Sequence, residues 1–242
     1  MSQPVPLNFE KHGKLRLSEP KDFTSHKAET FVPVVFQEFY GLATEFPLVF
    51  VRNKQTGDFV PGAMMGLNKG VNLYCQTPKW QPVFIPNSFT LTPLSVSRLE
   101  PNSDEADIAI DEQSPLLSET LGEALYQSDG TATDYLKRRI EHVVRVTQQS
   151  VQAVALCRYL AEKRLLTSQS LKLQHTENSP KYEVDGVFMI DEEALENLSN
   201  EEFQKLRERG LLPPIYAHLT SLQQIGRLTY LQHAADLAQA AS

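Results

Sequence analysis

The sequence predicts an α+β fold: an antiparallel sheet of five or more strands packed with a short helix and one long helix, plus a helical C-terminal subdomain. Three observations carry that expectation. Between Phe31 and Pro93 an apolar helical pattern is followed by strand, glycine turn, strand, glycine turn and strand, and loops this short force antiparallel neighbours. From Thr131 an apolar stripe runs at helical spacing for about nine turns. Beyond Asp191 short amphipathic segments follow one another, separated by caps and a glycine.

Leu7 to Phe23 reads as an extended lead-in, with Leu15 and Leu17 alternating against charged neighbours as in an edge strand. Val34, Val35, Phe39, Leu42, Ala43 and Phe46 then recur at three-to-four spacing, with Pro33 presetting φ at the start and Pro47 closing the run, so a helix is expected over Pro33 to Phe46. Leu48 to Arg52 is a buried strand, Asn53 to Asp58 a turn containing Gly57, and Phe59 to Leu67 the returning strand, where Pro61 and Gly62 mark a bulge or an edge. Val71 to Cys75 completes the meander, Val83 to Ile85 forms a fourth strand cut by Pro86, Glu100 to Glu105 is an exposed loop, and Asp107 to Asp111 is a fifth strand.

Thr131 is the expected N-cap of the long helix, with Asp134 in its first turn, and Leu136, Ile140, Val143, Val144, Thr147, Val151, Val154, Ala155 and Leu160 form the stripe. That helix, taken as Thr133 to Leu166, either lies across the sheet or forms a homodimer seam. Leu171 to Gln174 and Val184 to Ile190 are strands, Asp191 to Leu198 and Ser199 to Leu206 short helices, and Ala217 to Leu237 the last helical stretch. Ser199 and Glu202 fit a capping box, and Gly210 stops the helix they begin. The chain of 242 residues is read as one domain, residues 1–130 holding the helix and meander and residues 131–242 the long helix and helical subdomain.

Composition removes several functions. A net charge of −7 argues against a nucleic-acid binder, which needs concentrated positive charge to displace counterions. Cys75 and Cys157 lie far apart and read as buried thiols, with no metal-binding spacing. The first residues lack the basic start and apolar core of a secretory signal, and the longest apolar runs are too short to span a bilayer, so a cytoplasmic protein is expected, with export to the surface by another route left open. No Gly-x-Ser-x-Gly elbow, Walker loop, dinucleotide fingerprint or helical zinc pair occurs, so no catalytic residue, metal or cofactor is assigned.

Two sets of side chains remain as candidates. Tyr40, Tyr74, Trp80, Phe84 and Tyr216 either line an apolar cleft between the sheet and the long helix or fill the core. His218, following Pro213-Pro214, either caps and packs or binds a ligand and moves protons, with Asp111 or Asp191 as an acidic partner. Asp107 and Asp111 share a strand face beside Glu112, an arrangement that fits an exposed strand end better than a cation site.

Several motifs resemble the SapC-like proteins of bacteria: Phe31-Val-Pro-Val-Val35 with Glu38-Phe39, Glu45-Phe-Pro-Leu-Val-Phe50, Gly66-Leu-Asn-Lys-Gly-Val-Asn-Leu-Tyr74, Trp80 with Phe84-Ile-Pro86, Asp185-Gly-Val-Phe-Met-Ile-Asp191 and Ile215-Tyr-Ala-His-Leu-Thr-Ser221. The resemblance spans nearly the whole chain. It implies no particular reaction, and by its name alone it implies a surface-layer-associated structural role; an integral-membrane transporter subunit shares the name but not this sequence pattern. It also implies one or two arginines after the Ile-Pro pair, where this chain has Thr90 and Leu91, and with them the loss of any anion contact made there. The leading expectation is a non-catalytic binding or accessory protein recognising a protein partner or a small ligand. An enzyme or enzyme subunit with a site in the sheet–helix cleft, and a surface-layer component, are the alternatives.

Overall fold

The computed structural model describes residues 3–99 and 106–241, so the loop expected over Glu100 to Glu105 lies outside the described residues. In chain order the elements are β1 (Val5–Pro6), α1 (Phe9–His12), β2 (Arg16–Leu17), β3 (Phe31–Pro33), α2 (Phe39–Leu42), β4 (Leu48–Arg52), β5 (Phe59–Met64), α3 (Asn87–Thr90), β6 (Leu94–Leu99), β7 (Ala106–Ile110), β8 (Leu117–Ser118), β9 (Glu123–Ala124), α4 (Asp134–Glu162), β10 (Leu166–Leu173), β11 (Tyr182–Ile190), α5 (Glu192–Glu196), α6 (Asn200–Glu208), α7 (Leu212–Ser221) and α8 (Gln224–Ala240). They form two compact units, Met1–Lys21 with Asn87–Gln148, and Asp22–Pro86 with Gln149–Ser242. Each unit draws on two separate stretches of chain.

The first unit holds two small antiparallel sheets, β1-β7-β6 and β8-β2-β9, over a core of Leu17, Leu94, Ile110, Leu125, Leu136 and Val143. Thr133, two residues beyond the expected cap, opens α4 by accepting the Leu136 N–H at 3.2 Å, while Thr131 is held by Asp129. Where arginines were anticipated after the Ile-Pro pair, the Thr90 hydroxyl lies 3.1 Å from His142 Nε2, and Arg139 of α4 donates to the carbonyls of Thr90 and Thr92 at 2.6 and 3.2 Å. His12 is buried, with Asn8 N–H donating to Nδ1 and Glu112 3.1 Å from Nε2.

The second unit is built on a five-stranded antiparallel sheet in the order β10-β11-β4-β5-β3. Several elements differ from expectation. The third strand beside β5 is β3, because Val71 to Cys75 turns instead: Gly66 approaches the Val71 carbonyl so closely that a Cβ would lie 2.0 Å from its oxygen, and Asn72 turns back to accept the Tyr74 N–H. The Pro33 to Phe46 helix shrinks to a 3₁₀ turn at Phe36–Glu38 followed by α2. Pro33 is tolerated in β3 as an edge strand, the Val34 N–H is taken by the Pro61 carbonyl, and Glu38 reaches back to the Val35 N–H, so helix starts only after Val35. Val83 to Ile85 forms no strand. The hairpin of β10 and β11 is longer than anticipated, and the Ser199–Glu202 cap forms as expected.

Buried residues Ala153, Cys157 and Leu160 continue the apolar stripe of α4 in this unit, and Arg158 pairs with Asp58 at 2.7 Å. Of the nine residues of the expected stripe, Leu136, Val143 and Leu160 are buried, Val151 and Ala155 are exposed and the others are half-buried. Burial pushes both thiols, Cys75 and Cys157, up to about 12.

Candidate functional site

The clearest concave surface lies in the second unit between α2 and α7. Pro213 and Pro214 occupy the first turn of α7, where their missing N–H groups would be unsatisfied in any residue. Pro214, Ile215, Ala217, His218 and Ser221 face inward, leaving Pro213, Tyr216 and Thr220 outward. The outward edge of α7 and the facing edge of α2 enclose a groove of 680 Å³. Tyr40 and Tyr216 line it and are 69% and 50% exposed, while Ala43 and Ala217 are small enough to leave the space between the helices open. The hydroxyls of Thr44 and Thr220 donate to Gly41 and Tyr216 carbonyls at 2.7 and 2.9 Å, so both threonines spend their polar groups on their own helices. Gln223 and Gln224 supply free amide chemistry, and no lining side chain carries a charge.

Beside α2 lies the segment expected to be a fourth strand. The Phe84 ring lies over Gly41, where a Cβ would come within 2.7 Å of it, so only glycine admits the ring at that position. Glu45 fixes the segment: its Oε1 accepts the Val83 N–H at 3.2 Å and its Oε2 accepts from Arg227 of α8 at 2.7 Å. Held this way, Val83 is 79% exposed, and Phe84 and Ile85 are both over a third exposed. Tyr74 and Trp80 belong instead to a filled aromatic cluster, with Phe46 4.8 Å from Tyr74 and Phe23 5.2 Å from Trp80 between ring centroids. The Tyr74 hydroxyl donates to the Glu45 carbonyl, and burial raises its pKa.

His218 is fully buried and does not line the groove. Ile190 N–H donates to its Nε2 at 3.1 Å, which fixes the proton on Nδ1, and Nδ1–H donates to the Leu48 carbonyl at 2.8 Å. Ser221, one turn on, accepts the Leu48 N–H at 2.9 Å. Burial lowers the His218 pKa to about 4, against a smaller opposing effect of the bond to Leu48. Of the acidic partners considered for it, Asp191 caps α5 through the Ala194 N–H, and Asp111 accepts the Gln113 N–H in the first unit.

Of the six candidates, Tyr40 and Tyr216 both line the groove, Phe84 packs on the helix that carries Tyr40, and Tyr74, Trp80 and His218 serve the interior. Leu212, Thr44 and the Gln223-Gln224 pair were missed. Their signal was faint, since only the spacing of Pro213, Tyr216 and Thr220 marked an outward helix face. Such a groove can bury apolar surface against two tyrosine rings and offer a few hydrogen bonds, and it holds no acid–base pair. Among the described residues no group of three or more His, Cys, Asp or Glu is placed to hold a metal ion, and no helix is long and apolar enough to cross a membrane.

A family model described as SapC matches residues 7–228. No curated protein and no solved structure matches the chain.

Proposed function

This chain belongs to the SapC family, and we propose that it is a non-catalytic binding protein and that the groove between α2 and α7 is its recognition surface. The observation that carries this reading is the pair of exposed tyrosines flanking an uncharged groove, beside the exposed Val83-Phe84-Ile85 segment that Glu45 holds in place. Contiguous exposed apolar surface of this kind marks an interaction site more often than an accident of folding. The engagement of both His218 nitrogens by backbone groups supports recognition over reaction, because the imidazole has no free valence for a substrate.

The test uses Nile red, an uncharged apolar dye. Its fluorescence should rise on the wild-type protein, and Tyr40→Ala with Tyr216→Ala, both at exposed positions, should weaken binding by about tenfold without altering the unfolding midpoint. Undiminished binding in the double variant would place the dye elsewhere and end the assignment.

A further inference from the structure

Tyr216 lies on a divide. On one side is the uncharged groove; on the other is a second hollow of 260 Å³ lined by Glu192, Leu195, Glu196, Phe203 and Leu219. Glu192 and Glu196 stand four residues apart on α5, which places their carboxylates on one helix face and makes them repel. Neither has an ion-pair partner among the described residues. The neighbouring carboxylates of α6 differ, since Glu201 is held by Lys205 at 2.7 Å and Glu202 by Lys163 at 2.6 Å. The exposed face of α7 thus separates an apolar, neutral trough from a half-polar hollow that carries two carboxylates without an ion-pair partner.

We propose that the occupant of this surface is a segment of a partner protein that carries apolar anchors beside a lysine or arginine. The apolar side chains enter the groove between α2 and α7, and the cation crosses Tyr216 to meet Glu192 and Glu196. Charge complementarity selects the cation, because a positive group relieves the repulsion of the two carboxylates while the neutral groove offers it nothing. Extent selects a polypeptide: the two hollows flank a helix of ten residues, about 15 Å long, and a chain placing side chains on both sides of Tyr216 fills them together where a compact molecule fills one. Tyr216 then acts as the central anchor, its ring face available to an aliphatic stem or a guanidinium.

This inference rests on the groove being a recognition surface, and its test separates the two. Two helical peptides of identical leucine pattern are compared, one with lysine and one with glutamate on the polar face, against wild type, Glu192→Gln/Glu196→Gln and Tyr216→Ala, with Nile red measured on each protein. The lysine peptide should bind wild type at least about tenfold tighter than the glutamate peptide. The glutamine pair should remove most of that preference and flatten its salt dependence while leaving Nile red binding unchanged, and Tyr216→Ala should weaken peptide and dye alike. Equal binding of the lysine peptide by wild type and the glutamine pair would mean attraction to the overall negative charge and would overturn the proposal. Dodecylamine binding as tightly as the peptide would reassign the surface to a small amphipath, and self-association abolished by the glutamine pair would reassign it to a second copy; either overturns it. Absence of any lysine preference in wild type, with Nile red still bound, sinks this inference alone, whereas absence of Nile red binding to wild type sinks the groove reading as well.

Discussion

Leu48 and Ile190 fall opposite one another two residues beyond the Phe50–Phe188 pair at which the β4–β11 ladder ends, and the imidazole of His218 bridges their backbone groups. The ring accepts from one strand and donates to the other, taking the place of a backbone hydrogen bond that the diverging strands no longer make. Ser221 completes the join by accepting the Leu48 N–H, so one turn of α7 satisfies both polar groups of Leu48 that face away from β5.

Replacing His218 with leucine should therefore destabilise the protein by about 2–4 kcal/mol, because a buried carbonyl and a buried N–H each lose their partner. Equilibrium urea unfolding measures this through the midpoint. A loss below about 0.5 kcal/mol would show that the strands close on one another without the ring.

Acid should act through the same group. The His218 pKa falls to about 4 in the folded protein from an ordinary value near 6.5, so between those limits the unfolded chain binds the proton more readily. Its contribution is complete above about pH 6.5, declines as pH falls toward 4, and over that interval amounts to roughly 3 kcal/mol. Unfolding midpoints measured across this range should fall with pH in wild type and should fall less in His218→Leu.

Much of this architecture was legible because hydrophobic spacing and turn chemistry are local. Leu48–Arg52, Phe59–Met64, the start of α4 to within a turn, and the Ser199 cap follow from neighbouring residues. Val71 to Cys75 has the composition of a strand, yet the close approach of Gly66 to Val71 and the side chain of Asn72 commit it to turns, and β3 takes the sheet position it would have filled. Spacing also singled out Tyr40, Tyr216 and His218 without sorting them. The distinction between a tyrosine on an open groove and a histidine between two strands depends on partners up to 170 residues away.

Glu45 should prove to be the tether of the exposed apolar segment. Glu45→Ala removes acceptors for both Arg227 and the Val83 N–H, at a cost of about 1–2 kcal/mol, since Arg227 remains partly in water. Amide exchange at Val83 should accelerate at least about tenfold while amides of β4 and β5 hold their protection. Unchanged exchange at Val83 would show that the prolines flanking the segment suffice.

Gly66→Ala should be among the most damaging single-methyl additions. The new carbon would sit 2.0 Å from the Val71 oxygen, a backbone atom that cannot swing aside, so a loss of about 3 kcal/mol or more is expected by thermal or urea unfolding. Gly70→Ala makes the informative contrast: a Cβ there meets nothing within 4 Å, but the φ of +79° imposes a smaller, purely conformational cost of about 1 kcal/mol.

The long sequence separation within the join at Leu48 has a consequence during synthesis. Leu48 leaves the ribosome 170 residues before His218 does, a delay of roughly 10–30 s at ordinary elongation rates. Throughout it, the nascent Leu48-Val-Phe-Val run of β4 presents an unmatched side to solvent, an edge of the kind that recruits holdases or other growing chains. Translation speed over the codons between Leu48 and His218 therefore bears on how much of this polypeptide matures and how much is lost to co-translational clumping.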